Sequence, residues 1–219
     1  MNSNLPSAAK SLPQKINLIG KYCRLEPLNE SSHGNSLWTN AGSCNELWDY
    51  MIDGPFETEE KFRTWLKTRE NNNIRHYYTI IDLKSGEPLG ALCLMDCHIE
   101  YATCELGGIF FSPKLQRTRI ATEAIYLLSD YAFNLGYRRL QWKCNINNEA
   151  SKRAALRFGF IFEGILKNHM ILKGKNRDTA FFSIIDSNWP ERKSAFKNWL
   201  KEENFNKEGQ QKQRLEDFR

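Results

Sequence analysis

The sequence predicts a mixed α/β fold on a largely antiparallel sheet, and three observations predict it. Three strand-like runs, 75–82, 89–96 and 103–111, follow one another as an antiparallel meander does. A strand–helix–strand unit comes next, over 103–111, 121–135 and 139–144, and forms a parallel, right-handed crossover. Gly136 and Gly159 each follow a helical run directly, where a helix end favours a left-handed residue.

In order, residues 1–15 read as a flexible leader. Lys21 to Leu28 alternates as a first strand that Pro27 ends. Glu30–Ala41 and Cys44–Tyr50 are short amphipathic helices around Gly42, and Asp53-Gly54-Pro55 is a turn. Thr58 caps a helix to about Glu70, with Phe62, Trp65 and Leu66 on one face. Trp65 reads as a packing residue, and packing is one reading of Trp38 and Trp48. The meander has its hairpin turn at Lys84–Pro88, and Gly107-Gly108 inside its third strand suggests a bulge. After the crossover, Glu149–Phe158 is a helix. Residues 160–166 and 178–185 pair as a hairpin whose tip, with Lys173, Lys175, Arg177 and Asp178, reads as solvated. Pro190 starts a last helix carrying Phe196, Trp199 and Leu200. The division is a leader 1–15, one domain 16–203 and a charged tail 204–219.

Of the 219 residues, 41% are hydrophobic and 12% aromatic, enough for a core and too many for bulk disorder. No apolar run approaches the roughly 20 residues of a membrane span. Residues 1–14 are polar with Pro6 and Pro13, unlike a secretory signal, so a cytoplasmic protein without a membrane partner is expected. The six cysteines read as free thiols; with no CxxC and no histidine pair at zinc spacing, no metal is expected. A net charge of +5 allows attraction to phosphates but names no ligand.

The chemistry gathers where the third meander strand ends. The run Ile109-Phe110-Phe111 stops at Ser112-Pro113, and Lys114, Arg117 and Arg119 follow without an acid before the helix begins. Strand, basic loop and helix N-terminus together make an anion site, because free N–H groups and the helix dipole both point at the loop. A solvated basic turn is the other reading of the same residues.

Four motifs then carry a resemblance. Gln116-Arg117-Thr118-Arg119-Ile120-Ala121 resembles a Q-x-x-G-x-G/A loop, and Thr122-Glu123-Ala124 the A-T-E-A run behind it. Asn148-Glu149-Ala150-Ser151 resembles N-x-x-S, and Gly159-Phe160 with Glu163-Gly164 resembles G-F-x-x-E-G. In this order the chain, over about Gly20 to Trp189, resembles the GCN5-related N-acetyltransferase (GNAT) superfamily, in particular its ribosomal-protein alanine acetyltransferase branch. The resemblance implies a twisted, mostly antiparallel sheet of six to seven strands, helices on both faces and a central strand–loop–helix cofactor site. It implies acetyl-CoA as cosubstrate and an amine, a protein N-terminus or a small molecule, as acceptor. Pantetheine would pair with the backbone of Ile109, Phe110 and Phe111. The loop residue Gln116 and the amides of Arg117, Thr118, Arg119, Ile120 and Ala121, with Thr122 behind, would take the pyrophosphate. Asn148 would reach the pantetheine arm, and Ser151 would start the helix beside it.

Two departures matter. Arg119 stands where the pattern has glycine, which permits close approach to phosphate. Ala155 stands seven residues after Asn148, where many relatives have a tyrosine that protonates the departing thiolate. Tyr126 and Tyr131 read as packing residues, and His169 as a surface histidine. Glu105, on the strand leading to the loop, is the candidate general base, and strand alternation sets it on one face with Gly107, Ile109 and Phe111. A strand glutamate paired with a lysine or arginine is its other reading. Direct attack of the amine in a ternary complex is expected, since no Cys–His nucleophile pair is evident. The alternative is a catalytically inactive CoA-binding module of the same fold. A nucleic-acid partner is not expected, since the basic stretches lack interleaved aromatics. The final strands could support a homodimer.

Overall fold

The computed structural model describes residues 7–219; residues 1–6, part of the expected leader, lie outside the described residues. The strands are β1 (Leu18–Ile19), β2 (Cys23–Pro27), β3 (His76–Asp82), β4 (Pro88–His98), β5 (Thr103–Phe111), β6 (Arg139–Asn145), β7 (Ile161–Leu172) and β8 (Lys175–Ile185). The helices are α1 (Glu30–Leu37), α2 (Glu59–Glu70), α3 (Arg119–Asn134), α4 (Glu149–Arg157) and α5 (Trp189–Trp199). The eight strands form one sheet in the order β1-β2-β3-β4-β5-β6-β8-β7, antiparallel except where β5 meets β6. The mixed α/β fold is as expected, with one strand more than the upper count. The extra strand, β1, has two residues and cannot display a period-2 pattern.

Helices cover both faces. On one, Leu106, Leu140 and Phe182 of the sheet pack with Ala124, Ile125 and Leu128 of α3 and Phe196 of α5. On the other, Ala91, Cys93 and Phe110 pack with Leu37, Phe62 and Leu66 from α1 and α2. Trp48 is fully buried there, its ring 4.9 Å from Phe56, 5.4 Å from Trp65 and 5.3 Å from Phe110. These edge-on and tilted contacts bury large aromatic area in favourable geometry. Thr58 caps α2 through Oγ1, which accepts the N–H of Lys61.

Among the described residues, Ala9, Gln14 and the segment after α5 pack against the domain. Ala9 is buried, its N–H donating to Ile99 O, and Tyr78 Oη donates to Gln14 O. After α5, Phe205 and Leu215 are buried, and Trp199 Nε1 donates to Gln211 Oε1 at 2.9 Å. The β7–β8 hairpin extends further toward its tip than its apolar pattern suggests. Arg177, expected in a solvated tip, is only 9% exposed: the strands expected over 160–166 and 178–185 run on to Leu172 and back to Lys175, and Arg177 pairs with Met170 inside the ladder.

Candidate functional site

The site begins as a fork in the sheet. Strands β5 and β6 pair only over Thr103–Glu105 and Arg139–Gln141, yet β5 runs on to Phe111 and β6 to Asn145. Beyond Glu105 the β5 backbone has no β6 partner, so polar groups of the Ile109–Phe111 segment are open to a ligand lying along the strand. The bulge expected at Gly107-Gly108 is present: the β4–β5 register shifts between Ala91/Phe110 and Cys93/Gly107, and Gly108 has φ +58°.

That bulge corrects the expected faces. Ile109 and Phe111 pack with Leu106 on the α3 side, whereas Phe110 lies on the α1–α2 side. One extra residue in the strand inverts the alternation beyond it. Glu105 pairs across the strands with Met95, which packs on the α1–α2 side, so Glu105 shares that side with Phe110 and not with Ile109 and Phe111.

The loop ends at a helix start whose donors are partly free. Thr118 is the N-cap of α3, its Oγ1 accepting the N–H of Ala121 at 3.2 Å. The N–H of Thr118 donates to Leu115 O. Among the described residues, the N–H groups of Arg117, Arg119 and Ile120 have no internal partner. Of the five amides expected at a pyrophosphate, these three are therefore open and two are engaged. Arg117 has φ +61°, so the strain sits two residues before the position where the motif has glycine. Gln116 holds the loop against β5, Nε2 donating to Phe111 O at 3.0 Å. Thr122 Oγ1 accepts from Arg157 Nη1 at 3.1 Å.

Arg119 is turned to the tail. Its guanidinium lies 4.2 Å from the Phe205 ring centroid and 5.0 Å from that of Tyr22. The helical backbone at Arg119 requires no glycine, and its side chain is stacked between two aromatic rings instead of capping its own helix. One turn along, Glu123 accepts the N–H groups of Lys21, Tyr22 and Cys23, each at 2.7 Å, fixing the β1–β2 turn beside it.

At the crotch of the fork, Glu105 is 5% exposed, and Lys143 Nζ of β6 lies 2.6 Å from Oε2 at ion-pair distance. Lys143 also donates to Asp96 Oδ2 at 3.1 Å. Burial pushes the Glu105 carboxyl upward and Lys143 opposes that shift. Burial lowers the Lys143 ammonium pKa, but Glu105 and Asp96 outweigh it and the net direction is upward. Neither Lys143 nor Asp96 was expected in the site, since a charged residue in a strand ordinarily marks an exposed position.

Asn148 caps α4, Oδ1 accepting the N–H of Ser151 at 3.0 Å, while Ser151 Oγ accepts Trp142 Nε1 at 2.9 Å. Ala155 is fully buried, and no hydroxyl stands at its position. Tyr126 stacks on Trp189 and Tyr131 Oη accepts Gln14 N–H, so both serve packing. His169 is exposed and bonds Thr179. Tyr50 Oη donates to Asn147 O at 3.2 Å and Lys173 Nζ to Trp48 O at 2.7 Å, tying the 45–53 segment to the open ends of β6 and the β7–β8 hairpin. A hollow of about 770 Å³ between α1 and α2, lined by Glu30, Arg63 and Lys67 among others, shares no residue with the fork. Its mixed charges suit a solvated helix pair. Among the described residues no helix is long and apolar enough to cross a membrane.

Comparison with known proteins gives the same picture. The acetyltransferase (GNAT) domain model matches residues 24–161. The uncharacterized N-acetyltransferase YoaA of Bacillus subtilis is 36% identical over 79 residues, 36% of this chain and 45% of that protein, so this match spans less than half of the relative's length. The ribosomal-protein-serine acetyltransferase of Escherichia coli is 28% identical over 169 residues, 74% of this chain and 88% of the relative. The crystal structure of a GCN5-related N-acetyltransferase from Brucella melitensis superposes with a TM-score of 0.94 at 39% identity, covering 99% of each chain.

Proposed function

The chain belongs to the GNAT acetyltransferase family, and on that premise we propose that it transfers the acetyl group of acetyl-CoA to a primary amine by direct attack in a ternary complex. The observation that carries this reading is the fork: unpaired β5 backbone, three free amides at the start of α3 and a buried carboxylate where the strands part. The residues fit the cosubstrate. Ile109 offers backbone groups and Phe111 its N–H to the pantetheine amides, Phe110 being paired with Ala91 of β4, and Arg117, Arg119 and Ile120 offer N–H donors to the pyrophosphate. Acetyl-CoA supplies an activated thioester carbonyl.

Glu105 takes a proton from the amine, the step that a protonated amine requires before it can attack. An α-amine, with a pKa of about 7.7–8.0, needs less help than a lysine at about 10.4. That favours a protein N-terminus or another α-amine as acceptor, and the ribosomal-protein-serine relative supports the former. With Ala155 at the usual tyrosine position, solvent protonates the CoA thiolate, whose thiol pKa of about 8.5 makes it a fair leaving group. The cytoplasm is the setting of this reading. A homodimer would pair through β7, an edge strand exposing Ile161, Phe162 and Leu166; light scattering would read a doubled mass.

The same Ala155 favours a second reading, an inactive CoA-binding module. Isothermal titration tests both: saturable acetyl-CoA binding is expected, and absence of heat at high micromolar concentrations would sink them together.

A further inference from the structure

Resting on the acetyl-transfer reading, we propose that Arg177 selects the acceptor by binding a carboxylate carried close to the reacting amine. Arg177 is 9% exposed, and its Nε is fully buried with no partner. Among the described residues its guanidinium makes no ion pair, hydrogen bond or aromatic stacking contact. Arg69 and Arg139, also largely buried, have Asp53 and Glu163. An unpaired buried cation is costly to fold, and the cost is offset when an anion joins it.

Its place in the fold says which anion. Strand alternation puts Arg177 on one side of β8 with Thr179 and Phe181. Lys143 Nζ lies 5.5 Å from the Phe181 ring centroid and 2.6 Å from Glu105, so this is the face that presents the candidate base. The protein's own carboxylates there are taken. Glu105 and Asp96 share Lys143, and Asp178 accepts Asn168 N–H and Asn176 Nδ2 and pairs with Lys167. The 45–53 segment, tied down by the Tyr50 and Lys173 contacts, borders the same space. The free α3 amides lie instead on the loop after β5, so cofactor phosphate and acceptor anion have separate donors. A guanidinium fork matches a planar carboxylate with two parallel bonds, which makes a carboxylate the fitting group. Its source is the α-carboxylate of a free amino acid or an acidic side chain at the start of a peptide.

The test follows thiol release from acetyl-CoA with matched acceptors: α-amino acids against their α-amides, and peptides opening with Asp or Glu against Asn or Gln. The acid of one series is expected to exceed its amide at least tenfold in kcat/KM, and the series that does so identifies the source. In Arg177→Met the ratio falls below threefold, with the loss in KM for the acid; Arg177→Lys, which keeps charge without the fork, gives an intermediate ratio. The melting temperature of Arg177→Met equals or exceeds that of the wild type. Equal rates for acids and amides in the wild type, or an unchanged ratio in Arg177→Met, would overturn the proposal, as would an equal loss on both. Titrating the same pairs into wild type and variant reads the anion site without turnover. A protein that releases no thiol with any amine fails the transfer reading, whereas the titration alone decides Arg177: acid-selective binding lost in Arg177→Met upholds it, and binding without selectivity overturns it.

Discussion

Lys143 Nζ sits 2.6 Å from Glu105 Oε2, joining two parallel strands at the point where they part. The candidate base is thus held by a cation before any substrate arrives. Burial raises the Glu105 pKa, and the carboxylate is the form that accepts a proton. Activity should therefore fall with decreasing pH through a value above the usual carboxylate range. Glu105→Gln should lower kcat/KM by about 10²–10⁴, most at low pH, and leave an acid limb set by the amine itself, at about 7.7–8.0 for an α-amine. A pH profile of kcat/KM whose acid limb stays in place in the variant would remove Glu105 from the role.

Lys143→Met leaves Glu105 buried without its counter-ion. Breaking a buried pair costs about 3–5 kcal/mol, and urea unfolding should show a loss of that order. In the same variant the acid limb should move to higher pH, because the group opposing the burial shift is gone.

Arg119→Ala separates the tail from the cofactor loop. Each aromatic contact is worth about 0.5–2 kcal/mol, so the tail should become more open to proteolysis near Phe205. Since the side chain is committed to Phe205 and Tyr22, acetyl-CoA affinity should change by less than about tenfold, or 1.4 kcal/mol. A larger loss by titration would return Arg119 to the phosphates.

Gly108→Ala tests the bulge. The added Cβ would stand 2.6 Å from Tyr77 Oη and 2.8 Å from Cys93 Sγ, at φ +58°. Strain and overpacking together predict a loss of roughly 2–4 kcal/mol in urea unfolding, with weakened acetyl-CoA binding.

Glu163 gives a pH signature of stability. Hydrogen bonds from Arg139, assisted by Ser183, hold its carboxyl at about 2. A folded value below the unfolded one, about 4.3, gives stability that is present above that value and lost as pH falls through about 2. Because the pair is partly solvated, the gap between wild type and Glu163→Gln should be under about 1 kcal/mol near neutrality and shrink toward pH 2 in thermal melts.

Much of the fold was legible because periodicity marks whole elements. The meander, the crossover helix and the glycine stops all stood where apolar spacing put them. The faces beyond Gly108 were not legible: a bulge can be suspected from two glycines, but its sign depends on pairing with β4. The packing of 204–219 rests on a few anchors, Phe205 and Leu215 among them, in a charged run with no period. Lys143 and Arg177 were hidden because charge normally reports exposure, and only the partners across the sheet show that both are largely buried.

Acetyl transfer is tested most directly by thiol release from acetyl-CoA by the purified protein across a panel of amines, with products weighed by mass spectrometry. Saturable release matched one for one by an amine heavier by an acetyl group is expected. Binding of acetyl-CoA with no release above the hydrolysis blank, whatever the amine, would contradict acetyl transfer.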